Sequence, residues 1–569
     1  MIHADQLKEA GFQREGAVKT AMGQFYTPEL IIDDLMPLIV ERLKTRGEKN
    51  IRAVDPFCGD GRLIAKLLEE ASDSGLQAKW KLELWDYDDT ALPEAKDKVR
   101  RVAEETGIEV EIETSNRDSL LESSGQMGCF DCVVTNPPWD TVKPDSRELE
   151  GLSDEEKEKF RAALKEYDRR LEDTLPLSQP TRKYAGWGTN LSRCGTELAL
   201  RLTADSGVCG LVTPLSLLMD QTTRPLRRFI IREAHFSRIA YYPAEAKLFE
   251  GGVDQESISF VLEKNTSDCQ ETEIIRYNRN RELSSREMIS VSEDLISDID
   301  HCIPVVFGGS VFRALEKWDG FRTLDEYEEM GSLWLGRELD ETRHREWLSK
   351  DGEYLFTKGR MVGRYRFLER PESYVDERKK DVPDSANRQR IAWRDVARRS
   401  RSRRVQATIV DSGLVTGNSL HVGYFRDDDL QKLKALLVLF NSLPFEFQVR
   451  ALLGTGHISL GVVRKVRIPP VEHPDLSRIL SEMLDEKEVQ GAQDEAALEV
   501  AAATAYGLNR SGLEEIMSHF RNLPSEYESR ILDHHLWNSE RLQPISALPS
   551  EAESTGAREG HQLSFEDQN

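Results

Sequence analysis

Cysteine is scarce in this chain, 7 residues in 569. The number is odd and the residues are scattered, which excludes a disulfide framework. Apolar runs of membrane-spanning length are absent, no signal peptide is recognised, and mean hydropathy is −0.53. A cytoplasmic location with no membrane partner is therefore expected. Positive charge is in deficit, with 77 Lys and Arg against 101 Asp and Glu, a net charge of −24 and a pI near 5.1. Affinity for nucleic acid comes largely from neutralising phosphates, so any such surface must be local. Internal repeats are missing. Cys129-Phe130-Asp131-Cys132 has zinc spacing but no second pair, and no metal is expected. The length predicts about three to four domains.

What is present is most informative at Asn136-Pro137-Pro138-Trp139. The run Phe130-Asp131-Cys132-Val133-Val134-Thr135 ahead of it reads as a buried strand. Two prolines after the strand forbid ladder bonds and fix a stiff, extended turn. The turn offers an amide side chain, a backbone carbonyl and an indole at the strand's carboxyl edge, where open α/β sheets bind ligands. Two oxygens can accept both hydrogens of an exocyclic amine, and an indole can stack on the ring that carries it. An isolated NPP is also compatible with an ordinary Pro-rich turn, but the neighbouring segments favour chemistry. Val54-Asp55-Pro56-Phe57-Cys58-Gly59-Asp60-Gly61-Arg62-Leu63 ends a short apolar segment and opens an amphipathic helix, its glycines allowing close approach of a ligand. Leu82-Glu83-Leu84-Trp85-Asp86 reads as a second strand, ending in an acid at the spacing of a ribose-binding carboxylate.

With these motifs the chain resembles the S-adenosylmethionine-dependent amino-methyltransferases of DNA, in particular the gamma-type adenine enzymes of restriction–modification systems. The resemblance covers residues 1–265. Gly23-Gln24-Phe25-Tyr26-Thr27-Pro28 is similar to the motif that closes over the cofactor's methionine part. The resemblance implies cofactor contacts from Tyr26, Thr27, Pro28, Asp55, Phe57, Gly59, Gly61 and Asn136. It also implies that Asp86, with Asp88 in D-x-D form, grips the ribose, and that Asp118 accepts from the adenine amine. Ser119 departs from the apolar residue usual after that acid. Residues 197–203 read as a helix, and 207–214 resemble the family's fifth strand. Ala246-Lys247-Leu248-Phe249 resembles the last catalytic motif, making Phe249 a candidate for the second face of the base, with an ordinary core Phe as the alternative.

The implied chemistry is physically sensible. Asn136 and the Pro137 carbonyl would localise the lone pair of a delocalised amine, and Pro138 and Trp139 complete the turn. The target base must be flipped out of the duplex, at a cost of about a few kcal/mol. Stacking on Trp139, roughly 1–3 kcal/mol per base, offsets much of that.

Further along, residues 143–173 are expected to form a charged helical insertion with a solvated face, and 266–310 a linker. Segments around Trp334 and Phe356 resemble the opening of a target-recognition domain, placed at 311–472. Its basic stretch, residues 358–404, supplies candidate phosphate contacts: Lys358, Arg360, Arg364, Arg398, Arg399, Arg401 and Arg403, with Tyr365, Phe367, Tyr374 and Trp393 interleaved. Gly454-Thr455-Gly456-His457 reads as a tight turn. A helical tail is expected over 473–542 and a disordered tail over 543–569.

The expected fold is α/β: a Rossmann-like methyltransferase domain, a mixed α+β recognition domain and a helical tail. The expected activity is site-specific adenine methylation of double-stranded DNA with S-adenosylmethionine. A cognate restriction endonuclease or defence-complex subunits are candidate partners. Cytosine-N4 methylation and a DNA-binding modification subunit that needs partner chains are the alternatives. A fused nuclease is not expected. Glu377-Arg378-Lys379 has only Glu372 nearby as a partner, and the 22 residues ahead of Gly23 are too few for an amino-terminal one.

Overall fold

The computed structural model describes residues 26–144, 149–180, 183, 188–249, 255–265, 271–291, 296–297, 299–341, 345–376, 381–396, 401–453, 457–489, 495–520 and 522–546. Two compact units are present, Met1–Gly309 and Ser310–Asn569.

The first unit is built on a nine-stranded sheet in the order β3-β2-β1-β4-β5-β7-β6-β8-β9. The strands are β1 (Asn50–Asp55), β2 (Lys79–Asp86), β3 (Val110–Asn116), β4 (Phe130–Thr135), β5 (Thr203–Pro214), β6 (Ala234–Tyr242), β7 (Ser257–Lys264), β8 (Thr272–Tyr277) and β9 (Leu283–Ile289). β1 pairs in parallel with β2 on one side and β4 on the other, with Val54 opposite both Glu83 and Val133. The chain leaves β1 in one direction and returns on the other side, so a crevice opens at the carboxyl ends of β1 and β4. β7 runs antiparallel between β5 and β6.

Helices cover the sheet because their apolar residues recur on one face. In α1 (Glu29–Arg46) the buried side includes Ile32, Leu35, Ile39 and Leu43. The helix lies so close to β5 that a Cβ on Gly210 would sit 2.3 Å from Ile39 Cδ1. α2 (Arg62–Asp73) buries Leu63, Ile64, Leu67, Leu68 and Ala71, and α3 (Ala91–Thr106) buries Leu92, Ala95, Val99, Val102 and Ala103.

Three expectations are corrected here. The segment 266–310 is not a linker: β8 joins β6 in parallel and β9 closes the sheet as an antiparallel edge. Most of β9 is exposed or half-buried, and its polar composition reads as a loop because an edge strand needs few apolar residues. The charged insertion forms α4 (Asp154–Thr174), started by a Ser153–Glu156 capping box. It is more than a solvated face, since Phe160, Leu164, Tyr167, Asp168 and Leu171 are buried. The helix expected from residue 197 begins earlier, as α5 (Leu191–Leu202), capped by Asn190.

The second unit holds two four-stranded sheets, β10-β17-β14-β15 and β11-β13-β12-β16. Their strands are β10 (Leu333–Gly336), β11 (Leu348–Ser349), β12 (Tyr354–Thr357), β13 (Tyr374–Val375), β14 (Arg390–Arg394), β15 (Ala407–Val410), β16 (Leu414–Thr416) and β17 (Leu420–Phe425). A fully buried pair, Glu338 and Arg390 at 2.7 Å, ties them together, and Glu338 also accepts from the Thr416 N–H at 2.6 Å. The helices α6 (Leu430–Phe440), α7 (Leu443–Ala451), α8 (Pro474–Val489), α9 (Glu495–Ala505), α10 (Arg510–Ser518) and α11 (Ser525–Leu532) belong to this same unit. A short helix, Gln543–Ser546, stands at the start of the expected disordered tail.

Arg403, expected to meet DNA phosphates, is instead buried, and Arg364, expected to do the same, is largely enclosed. Arg403 bonds Glu446 at 2.9 Å, Tyr527 at 3.1 Å and also Glu499. Arg364 pairs with Glu495 at 2.5 Å and Glu499 at 2.9 Å. These guanidiniums join the strand region to α7, α9 and α11, and neither is open to a phosphate. The interleaved aromatics Trp393 and Tyr365 are likewise core residues. Arg398, Arg399 and the segments 377–379 and 454–456 lie outside the described residues. Arg360 and Arg401 are exposed, the former loosely paired with Glu369 at 3.4 Å, and Lys358 is half-buried beside Glu341 at 2.9 Å. Arg403→Ala is therefore expected to lower stability by about 3–5 kcal/mol, as when one partner of a buried pair is removed. Denaturant unfolding measures this. A stability change below about 1 kcal/mol, with a flatter salt dependence of DNA binding, would restore Arg403 to the surface role.

Candidate active site

The site grows from the ends of β1 and β4. Asp55 closes β1, fully buried, and its Oδ1 accepts from the Thr135 hydroxyl at 2.7 Å and from the Phe57 N–H at 3.1 Å. One carboxylate thus fixes both strand ends and the turn between β1 and α2. Its Oδ2 is buried without a partner. Burial pushes its pKa up to about 7, against the pull of the Thr135 and Phe57 bonds.

The turn that follows needs its glycines. Gly59 and Gly61 take φ values of 49° and 77°, and a Cβ on Gly61 would lie 3.0 Å from the Ala95 backbone. The Gly59 N–H donates to Asp86 Oδ2 at 2.8 Å, while the Asp88 N–H donates to Asp86 Oδ1 at 2.8 Å. Burial raises the Asp86 pKa, and these N–H donors oppose the shift. Above the turn lies the amino-terminal segment. The Tyr26 ring would touch a Cβ placed on Gly59 at 3.6 Å. Arg62 stacks over that ring at 4.5 Å and donates to the Thr27 carbonyl at 3.1 Å. Pro28 caps α1.

Asp118, after β3, is buried and accepts from the Leu120 N–H at 3.1 Å. Ser119 donates to the Pro56 carbonyl at 2.6 Å. This polar side chain is thus satisfied by the glycine-turn backbone.

The Asn136-Pro137-Pro138-Trp139 turn runs extended from β4, with both prolines buried. It is clamped from two sides. The Val142 N–H donates to Thr189 O and the Leu191 N–H to Asp140 O, both at 2.8 Å, which zips the chain after the turn to the start of α5. Within α5, Gly195 lies against the turn. A Cβ there would sit 2.2 Å from Pro137 Cβ and 3.1 Å from Phe57 Cε2. The Trp139 ring contacts the Phe249 ring with centroids 4.6 Å apart. Phe249 is 5% exposed, and the Trp139 Nε1 is buried without a partner. The Phe249 loop is held from the β8–β9 hairpin, where the Arg281 guanidinium donates to the Ala246 and Lys247 carbonyls at 3.1 and 3.0 Å.

The structure thus brings together Tyr26, Thr27, Asp55, Phe57, Gly59, Gly61 and Asp86 around one turn, and Asn136 to Trp139 with Phe249 beside it. Thr135, Gly195 and Arg281 were not foreseen. A glycine within a helical pattern, as at 195, was the available signal for close packing. The other two depend on long-range contacts that no local pattern carries. In the second unit the Asp395 carboxylate meets Arg337, His421 and His457 at 3.1–3.2 Å, a cluster also unforeseen. Among the described residues no group of His, Cys, Asp or Glu could hold a metal ion, and no helix is long and apolar enough to cross a membrane.

Residues 61–249 match the model of the family described as Eco57I restriction-modification methylase. This stretch is similar to a restriction–modification methylase domain. No curated protein matches the chain. Among solved structures, the DNA complex of the Type IIL restriction-modification enzyme MmeI is similar over 96% of this chain and 82% of its own, at 11% identity and TM-score 0.50. The type IIG restriction endonuclease BpuSI matches over 95% of this chain and 68% of its own, at 12% identity and TM-score 0.41. A putative class I S-adenosylmethionine-dependent methyltransferase from Listeria monocytogenes covers 52% of this chain and 77% of its own, at 18% identity and TM-score 0.32. At such identities it is the fold that MmeI shares with this chain.

Asp55 supplies a pH test. Its folded pKa, about 7, lies above its ordinary value, so the folded chain keeps a proton that the unfolded chain releases between about pH 4 and 7. The stability this contributes is full at low pH and is lost as pH rises through about 7. Ligand-free wild type is expected to lose about 2 kcal/mol relative to Asp55→Asn between about pH 5.5 and 8. Thermal melts of both proteins at the two pH values measure it, and a pH-independent difference would place the Asp55 pKa near normal.

Proposed function

We propose that the chain is a site-specific DNA methyltransferase that modifies the exocyclic amine of a flipped-out adenine within a restriction–modification or related defence system. The observation that carries this reading is one sheet edge holding the Asn136–Trp139 turn, the Phe249 ring and the two acids Asp86 and Asp118. The match of residues 61–249 to a restriction–modification methylase family supports it. So does the fold shared with MmeI, whose structure was solved in complex with DNA.

The residues fit an S-adenosyl nucleoside. A positive-φ glycine turn lets a ligand approach the backbone, Asp86 and Asp118 offer acceptors, and the Asp55 Oδ2 has no partner of its own. In this reading Asp86 holds the ribose hydroxyls and Asp118 the adenine amine. Tyr26, Thr27, Pro28, Asp55, Phe57, Gly59, Gly61 and Asn136 surround the rest. S-adenosylmethionine supplies an electrophilic methyl group.

The chain's own task is positioning. The Asn136 side-chain oxygen and the Pro137 carbonyl accept the hydrogens of the target amine and draw its lone pair out of the ring. Gly195, by admitting Pro137 so closely, fixes where that carbonyl stands. The Trp139 and Phe249 rings are in contact, and in this reading the flipped base inserts between them, each ring covering one of its faces. Of the expected phosphate contacts among the described residues, Arg360, Arg401 and Lys358 of the second unit remain available.

Replacing Asn136 and Trp139 separates activation from holding. Asn136→Ala is expected to bind cofactor and DNA while single-turnover transfer falls by about two orders of magnitude or more. Mismatched targets should not rescue it. Trp139→Ala is expected to recover part of its loss when the target adenine sits opposite a mismatch or abasic site, because unpairing then costs less. Near-normal single-turnover transfer by the Asn136 variant would overturn the mechanism.

A further inference from the structure

Helix α4 brings a buried polar group beside one of the proposed cofactor acids. The Tyr167 side chain is 6% exposed. Its hydroxyl lies nearest Asp118, with Cys194 of α5 and Tyr87, the residue after Asp86, also in its surroundings, and although the Asp118 carboxylate is close enough to bear on it, no well-formed hydrogen bond satisfies it. A buried hydroxyl left unsatisfied is costly, and native structures tolerate few. Tyr167 is also firmly placed. The next residue, Asp168, bonds Lys183, and Lys183 pairs with Glu172 one turn on at 2.5 Å. The segment leaving α4 is tied to α5 through Glu197, which accepts from the Ser178 N–H and hydroxyl at 2.8 and 2.7 Å.

We propose that Tyr167 completes the adenine subsite of the cofactor site, its hydroxyl donating to the ring nitrogen next to the amine that Asp118 accepts from. The inference rests on the S-adenosylmethionine reading above. A carboxylate and a phenol side by side present one acceptor and one donor. The amine edge of adenine presents the complement, a donor beside a ring acceptor, whereas a 6-oxo purine would turn its oxygen toward the Asp118 carboxylate. Burial and the neighbouring Asp118 keep the phenol protonated, so it is a donor throughout the working pH range. The charged insertion then has a definite role. It closes the adenine end of the site and links it, through α5, to the glycine that seats Pro137.

The test uses the full chain and S-adenosylhomocysteine as probe, with calorimetric titration and thermal melts of wild type and Tyr167→Phe. Tyr167→Phe is expected to bind about tenfold more weakly, the loss of one hydrogen bond to ligand. Its ligand-free Tm should be equal to or above that of wild type, because the deleted hydroxyl makes no well-formed hydrogen bond in the free protein. Equal or tighter binding by Tyr167→Phe would overturn the assignment. A lowered ligand-free Tm would overturn it too, by showing that the hydroxyl serves the fold. Failure of wild type to bind the probe at all would instead remove the cofactor reading on which the inference stands.

Discussion

The hydrogen bond between Asp55 and Thr135 holds the ends of β1 and β4 together at the point where the sheet order reverses. A parallel sheet leaves its ligand crevice there whatever the sequence, but the crevice is useful only if the turns leaving the two strands keep a fixed relation. One buried carboxylate sets that relation by accepting from Thr135 on one strand and from Phe57 in the turn of the other. From this tie the glycine turn reaches Asp86, and the proline turn reaches α5. The arrangement costs desolvation, and burial raises the Asp55 pKa accordingly. A strained or costly group at a sheet's carboxyl edge is where function is expected to concentrate.

Much of this edge was legible in the chain because its signals are local. An apolar run stopped by two prolines is a strand followed by a stiff turn, and β4 with the Asn136–Trp139 segment is that. A glycine pair before an amphipathic run marks the turn into α2. What local pattern could not supply was the packing between distant segments. Gly195 is unremarkable until Pro137 is found 2.2 Å from where its Cβ would be. The β8–β9 hairpin reads as a linker because its edge strand faces solvent, yet its Arg281 holds the loop that carries Phe249. Tyr167 hides in a helix whose sequence is dominated by charge.

Charge runs misled in an instructive way. The basic stretch before residue 405 contains guanidiniums with opposite fates, since Arg401 is exposed while Arg403 is enclosed by Glu446, Glu499 and Tyr527. The acids that neutralise Arg403 and Arg364 come from helices forty or more residues away in the chain. Sequence proximity therefore gave sign and density of charge but not its accessibility. On an acidic protein this matters twice, because each buried arginine removes one cation from the small basic surface that phosphates could meet.

The account's central claim is that the proline turn activates an adenine amine for methylation. The direct measurement is to incubate the full chain with labelled S-adenosylmethionine and double-stranded DNA of mixed sequence, digest the product and identify the labelled nucleoside. The account predicts label in N6-methyl-2′-deoxyadenosine, at a fixed sequence context, and about a hundredfold less or lower still with Asn136→Ala. Label confined to N4-methylcytosine deoxynucleoside, or label in the protein or an RNA control instead of DNA, would contradict it.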